Sequence, residues 1–138
     1  MSRSRCVSAP AAIRKPIVDL PVDLDQFRNW AGRDEDSVKD LAHLYLSRTE
    51  RLLQQLKTAL EKGDVADARR IAHSGAGSSS ACGIRALAKP FGEIERLSNA
   101  GRLGDIHPHF ETANRELEKV RAVLLNQQQN VRYAAETN

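Results

Sequence analysis

The chain has 138 residues, of which 28% are charged and 4% are aromatic, and its formal net charge at pH 7 is +3. This length suits one domain that buries a core of its own. Four basic side chains and one acidic side chain give residues 1–22 the whole net charge, so residues 23–138 are neutral overall. Because this basic tail has no interleaved aromatic residue and no recognised motif, we do not expect it to bind nucleic acid.

The cysteines and the hydropathy indicate a cytoplasmic protein. Cys6 lies in the tail and Cys82 in an apolar stripe, so we expect no disulfide and a reducing compartment. No apolar run approaches the roughly 20 residues of a membrane span. The basic N-terminus lacks the continuous apolar segment of a secretory signal.

The chain begins with a predicted flexible tail, residues 1–22, followed by a short helix. Asp23 is a suitable N-cap, Gly32 a suitable end, and Leu24, Phe27 and Trp30 recur at a spacing of three. We expect this helix to lie as a lid across one end of a helical bundle.

The second helix is predicted to be the longest, capped by Asp34 or Asp36 and ended by Gly63. Apolar residues recur along it at spacings of three and four. This inward stripe comprises Val38, Leu41, Ala42, Tyr45, Thr49, Leu52, Leu53, Leu56 and Leu60.

The third helix starts after Asp64 and ends or bends at Gly83. Its buried stripe comprises Val65, Ala68, Ile71, Ala72, Gly75, Ser79 and Cys82.

Two further helices complete the pattern. Leu87, Phe91, Ile94 and Leu97 form the inner face of the fourth, where Pro90 predicts a kink near residues 86–90 or a helix that starts only there. Gly101 and Gly104 mark the next turn. The last helix has the stripe Ile106, Phe110, Ala113, Leu117, Val120 and Leu124, and residues 127–138 are predicted to fray. The fold predicted is all-α, an antiparallel up-and-down four-helix bundle over residues 23–126 with a short additional N-terminal helix.

His73 lies outside the buried stripe of the third helix. At about 100° per residue it shares an outward face with Ala66, Arg69, Arg70, Ala76, Gly77 and Ser80. Gly77 has no packing role there, although glycine in a helix costs about 1 kcal/mol against alanine. The residues alone leave two interpretations open: a solvent-facing histidine among small residues, or a nitrogen that a second macromolecule must reach.

The hairpin between the third and fourth helices gives His73 a partner. If its turn centres on Ile84, His73 and Glu95 are equidistant from it and face each other. A carboxylate that accepts from Nδ1–H fixes the tautomer and leaves Nε2 free as a nucleophile. The alternative is that Glu95 is a surface glutamate that pairs within its own helix.

No other cluster predicts chemistry. His43 has no carboxylate or cysteine partners at metal-ligand spacing, and the alternation of His107 and His109 around Pro108 suits no single helical face, so we expect no metal site and no cofactor. Because the chain also lacks a glycine-rich phosphate loop, we do not expect it to act as an ATP-dependent kinase.

The histidine helix resembles the signature of histidine-containing phosphotransfer (HPt) domains. The match rests on Ala72–His73, Gly77–Ser78–Ser79 and Gly83, continued by Leu87 and Glu93–Ile94–Glu95, and covers about residues 23–126. Two positions differ from the family pattern: Gly75 replaces the usual leucine and Ala76 the usual lysine.

The resemblance implies a phosphorelay protein, a phosphocarrier whose His73 Nε2 accepts a phosphoryl group while Glu95 orients the ring. The donors and acceptors are receiver domains of response regulators or hybrid sensor kinases, and magnesium is expected on the receiver. Arg69, Arg70, Ala76, Gly77 and Ser80 form the expected phosphoryl and partner surface. We expect Arg70, and secondarily Arg69, to supply the cation that Ala76 lacks, although the N-terminal tilt of helical side chains argues against it.

Two other functions remain as alternatives. The bundle could be an interaction module that binds a receiver or kinase without transferring phosphate, since the usual lysine is missing. A third reading is a helical protein that binds nucleic acid through its tail.

Overall fold

The computed structural model describes the backbone of residues 21–137 and the side chains of residues 21–126. This part of the chain forms five α-helices, one short 3-10 helix and no strand. The helices are α1 (Leu24–Ala31), α2 (Glu35–Lys62), α3 (Val65–Ala81), α4 (Arg85–Asn99) and α5 (His107–Thr137), and the 3-10 helix is Leu103–Asp105.

Aspartate side chains start the first three helices, as the sequence predicts. Asp23, Asp34 and Asp64 each accept a hydrogen bond from the backbone N–H three residues later. Of the two candidate caps for α2, Asp34 is the one used, and its bonds with Ser37 lower the pKa of its carboxyl. Gly32 and Gly63 end α1 and α2 with φ of 108° and 69°, a left-handed conformation that favours glycine.

Helices α2 to α5 form the predicted antiparallel four-helix bundle. Each packs against the next in the chain, and α5 returns to contact α2, so that α3 and α5 lie diagonally opposite each other. The most extensive contact is between α3 and α4. The predicted stripes meet in one core, except that Val65, predicted in the buried stripe of α3, is exposed at the start of that helix. The completely buried members of the core include Leu56, Ile71, Ile84, Leu87, Phe91, Ile94, Ile106 and Val120.

Helix α1 lies across the end of the bundle where α3 turns into α4, as the lid prediction requires. The Asp23 N–H donates to the Gly83 carbonyl at 2.8 Å, and Gln26 Nε2 donates to the Ser80 carbonyl at 2.8 Å. Phe27 of α1 and Val22, which precedes the helix, are both buried in the core. Val22 therefore belongs to the bundle, one residue before the predicted domain boundary at 23.

The predicted position of Trp30 is wrong. The spacing predicts that it lies on the same side of α1 as Leu24 and Phe27, but 62% of its surface is exposed. Two steps of three residues rotate a side chain by about 600°, which places Trp30 about 120° around the helix from Leu24. The spacing of three therefore describes one buried contact, Phe27, rather than a stripe.

Helix α4 does not start near Pro90. It begins at Arg85 and passes through Pro90 as one continuous helix. No side chain caps its start; instead the Ala86 N–H donates to the Pro21 carbonyl at 3.1 Å. The chain before α1 thus satisfies a donor at this helix end, which a search for capping side chains overlooks.

Helix α5 continues to Thr137, beyond the predicted boundary at residue 126. Fraying of residues 127–138 in solution stays a prediction. Residues 1–20 of the predicted flexible tail, including Cys6, lie outside the described residues. None of the helices described here is long and apolar enough to span a membrane.

Candidate functional site

His73 projects from α3 with 76% of its side chain exposed. Its Nδ1 lies 2.8 Å from Oε2 of Glu95 on α4, which joins the two halves of the α3–α4 hairpin. The register predicted from the turn at Ile84 therefore brings these two residues into direct contact.

A close approach of α3 and α4 makes this contact possible. A Cβ added to Gly75 would lie 2.7 Å from Cδ1 and Cε1 of Phe91, which is far inside van der Waals contact. Phe91 is completely buried against the glycine, one turn of α4 before Glu95. Gly75, which departs from the family pattern, thus sets the spacing of the two helices at the histidine.

The geometry defines the tautomer of a neutral His73. A carboxylate only accepts hydrogen bonds, so Nδ1 carries the proton and donates it to Glu95. Nε2 then has the free lone pair. Because the side chain is largely exposed, this nucleophilic nitrogen is accessible to a group on another molecule.

The surface beyond His73 is cleared of side chains. Gly77, one turn further along α3, has open space where a Cβ would be, and Ser80 is exposed. Gly92, one turn before Glu95 on α4, also has open space at its Cβ position. Ala76 is half-buried against the core and brings no charge to the site.

The predicted arginines do not contact His73 in this structure. Arg70 binds Asp67, with Nη2 at 2.6 Å and Nε at 3.0 Å from Oδ1, so its guanidinium lies toward the N-terminal end of α3. Arg69 is exposed. The tilt of helical side chains accounts for the direction that Arg70 takes.

A cation that the sequence analysis overlooked lies on the neighbouring helix. Arg48 of α2 is exposed, and its Nη2 donates to Ser74 Oγ at 3.3 Å. Ser74 directly follows His73. The antiparallel register of α2 and α3 would have revealed this neighbour, but no charge pattern within either helix points to it.

A buried hydrogen bond fixes α3 against α2. Tyr45 Oη and Ser79 Oγ are 2.7 Å apart, and both residues are almost completely buried. Burial raises the pKa of Tyr45 to about 12. This bond satisfies the hydroxyl of the second serine in the Gly77–Ser78–Ser79 motif, which was predicted only as part of the inward stripe.

The remaining histidines lie elsewhere. His43 is exposed, His109 is half-buried, and His107 Nε2 lies 3.5 Å from Glu111 Oε2 on its own helix. Within the described part of the chain no group of three or more histidine, cysteine or acidic residues could hold a metal ion.

Comparisons with known proteins identify the family of this helical bundle. The family model of the Hpt domain matches residues 40–123, more than half of the chain. The crystal structure of histidine-containing phosphotransfer protein B (HptB) from Pseudomonas aeruginosa PAO1 is similar with a TM-score of 0.75 and 28% identity, over 81% of this chain and 97% of that one.

A second solved structure supports the fold alone. The HPT domain of the Hpt sensor hybrid histidine kinase from Shewanella has a TM-score of 0.65 at 19% identity, over 83% of this chain and 97% of that one. A search of curated proteins finds no match. The family match and the fold together lead to one conclusion: this chain belongs to the Hpt domain family, whose members carry out phosphotransfer in phosphorelays.

Proposed function

We propose that His73 accepts a phosphoryl group from an aspartyl phosphate on a receiver domain and passes it to another response regulator. The observation that carries the proposal is the contact of Nδ1 with Glu95 at 2.8 Å, which leaves Nε2 as the free and exposed nitrogen. The cleared surface at Gly77 and Ser80 gives a partner room to approach.

The transfer step follows from this geometry. The Nε2 lone pair attacks phosphorus, an N–P bond forms, and the P–O bond to the receiver aspartate breaks, so that the aspartate leaves as a carboxylate. Glu95 keeps the Nδ1 proton in place and balances the positive charge that develops on the ring. The same step in reverse loads the second receiver.

Charge neutralisation at the phosphoryl group is shared between the two proteins. Phosphoryl transfer depends on in-line positioning and on charge stabilisation, and magnesium held by receiver carboxylates supplies part of the latter. Arg70, and secondarily Arg69, is the cation that we propose this chain supplies instead of the lysine that the family usually has at the position of Ala76. Arg70 must release Asp67 to act, so slower transfer in Arg70→Ala, together with a faster rate in Asp67→Ala, is the result that assigns it this role.

The absence of the usual lysine at Ala76 favours one alternative, a module that binds a receiver without exchanging phosphate. The two functions differ in where a radioactive label ends. A phosphocarrier acquires label on histidine, whereas a binding module leaves it on the partner.

The test uses a panel of purified receiver domains phosphorylated with radiolabelled acetyl phosphate. Label should move to the wild-type chain, be lost in acid and persist in base, as phosphohistidine does and an acyl phosphate does not. His73→Gln should abolish labelling with unchanged helicity by circular dichroism. His43→Gln, which replaces another exposed histidine, is the matched control and should label normally. Label that persists in His73→Gln would refute the assignment.

A further inference from the structure

We propose that the exposed edge of α2 formed by Leu44 and Arg48, hereafter the α2 edge, is a second contact area for the receiver that docks at His73. The proposal rests on the proposed function, because it places the partner on the same face of the bundle. It adds to that function two specificity-determining residues that lie outside the histidine helix.

Two hydrogen bonds fix the position of the α2 edge. Tyr45 bonds to Ser79 at 2.7 Å and Arg48 to Ser74 at 3.3 Å, so α2 runs antiparallel to α3 in a defined register. Leu44 directly precedes Tyr45 and lies one helical turn before Arg48. Leu44 is therefore level with residues 78–80 of α3, and Arg48 is level with the residue after His73.

A specific interface is wider than one helix, so a receiver docked at His73 also contacts a neighbour of α3. Even a small specific complex buries roughly 600 Å² on each partner, which corresponds to a patch of about 14 Å radius. Packed helices lie only about 8–10 Å apart. A receiver centred on the exposed Nε2 of His73 thus covers the small residues of α3 and reaches a neighbouring helix.

The two neighbours offer different chemistry. On α4, Glu93 binds Arg96 with Oε1 at 3.0 Å from Nη2, so two charges on this side are already paired. On α2, Leu44 is a large apolar side chain with 61% of its surface exposed. Arg48 forms no ion pair with any residue that the structure describes. Apolar side chains and arginine are enriched in interfaces, whereas most other charged residues are depleted at their cores.

Charge complementarity identifies the occupant. An aspartyl phosphate and the carboxylates that hold its magnesium make the approaching face of a receiver acidic. Arg48 can leave its neutral hydroxyl partner, Ser74, and pair with a receiver carboxylate, while Leu44 packs against apolar side chains at the rim of that site.

The test measures the rate of labelling of the full chain against receiver concentration, for the receiver that labels the wild type fastest. Leu44→Ser and Arg48→Glu should each raise the half-saturating receiver concentration about tenfold, with less than about a twofold change in the maximal rate, because they affect docking rather than chemistry. Leu44→Met keeps an apolar side chain at this position and should leave the half-saturating receiver concentration close to that of the wild type. Arg115→Glu is the matched charge control, since Arg115 also donates to a hydroxyl, that of Thr112, on the diagonally opposite α5.

The outcomes separate this inference from the proposed function. Normal labelling with unchanged half-saturation in both variants overturns the α2 edge and leaves the function intact, as does an equal effect of Arg115→Glu. If no receiver labels the wild type, equilibrium binding decides: weaker binding of the variants keeps the α2 edge while the transfer function fails. Absence of binding to every receiver overturns both, and a dimer that Leu44→Ser dissociates would show that a second copy of the chain occupies the edge.

Discussion

At the scale of single residues, the two glutamates Glu93 and Glu95 of α4 have different hydrogen-bond partners. Glu95 accepts from His73 Nδ1 across the helix pair, whereas Glu93 binds Arg96 on its own helix, and the bond from Arg96 lowers the pKa of Glu93. Only Glu95 can set the tautomer of His73. The alternative role of an intrahelical surface pair thus falls to its neighbour.

This difference gives the first prediction. Glu95→Ala should slow the maximal rate of phosphoryl transfer by about tenfold or more, as loss of a histidine-orienting carboxylate does elsewhere. Glu95→Gln should retain part of the rate because its amide oxygen still accepts from Nδ1–H. Rapid-quench measurements with saturating phosphorylated receiver give this rate. Glu93→Ala is the control, and an equal loss in that variant would show that Glu95 acts only through general surface charge.

At the scale of secondary-structure elements, the two glycines inside α3 differ in how closely a neighbouring helix approaches them. Gly75 faces Phe91, and a Cβ there would lie within 2.7 Å of the ring, whereas Gly77 faces open space. The first glycine permits the approach of α4, and the second serves no packing purpose within the bundle.

The second prediction compares these glycines. Gly75→Ala should lower the free energy of unfolding by about 1–3 kcal/mol, since the ring of Phe91 must shift in a tightly packed core. Gly77→Ala should raise it by about 0.5–1 kcal/mol, because alanine is the better helix former and meets no neighbour. Urea unfolding measures both values. A stabilised Gly75→Ala would mean that the α3–α4 contact has room to adjust.

Helices α2 and α3 could be predicted from the sequence because each has an apolar stripe and a capping aspartate. The His73–Glu95 pair could also be predicted, since a tight hairpin fixes register by counting from its turn. Arg48 could not, because Arg48 and Ser74 are not equidistant from the turn at Gly63 and Asp64, so counting from that turn does not pair them. The register of α2 and α3 depends instead on the buried bond of Tyr45 with Ser79. The start of α4 could not be predicted either, since the Ala86 N–H at this helix end donates to the backbone carbonyl of a residue distant in sequence, Pro21.

The buried tyrosine links pH to stability at the scale of the whole molecule. The pKa of Tyr45 is raised by burial from 10.0 to about 12, so the unfolded chain loses this proton at a lower pH than the folded one. Between these values the folded state binds more protons, and stability falls as pH rises.

The third prediction follows from that sign. The free energy of unfolding should fall by an amount of the order of 2 kcal/mol between pH 10 and pH 12, and Tyr45→Phe should remove this part of the slope. At neutral pH the same variant should be less stable by about 1 kcal/mol, since Ser79 loses its buried partner. Urea unfolding across this pH range tests both effects. An unchanged alkaline slope in Tyr45→Phe would show that other groups cause it.

The fourth prediction concerns where the folded unit starts. Residues 1–20 are predicted to be dispensable, but the residues directly before α1 are part of the bundle. The Pro21 carbonyl accepts from the Ala86 N–H, Val22 is only 2% exposed, and Asp23 both caps α1 and binds Arg85 at 3.3 Å.

A chain of residues 21–138 should therefore unfold thermally with the same midpoint as the full chain. A chain of residues 24–138 loses a buried valine and a helix cap, together worth about 3 kcal/mol, so its midpoint should fall by about 10 °C. Equal midpoints for the two shortened chains would show that this segment adds nothing to the bundle. A fall already in the longer one would show that the basic tail packs against it.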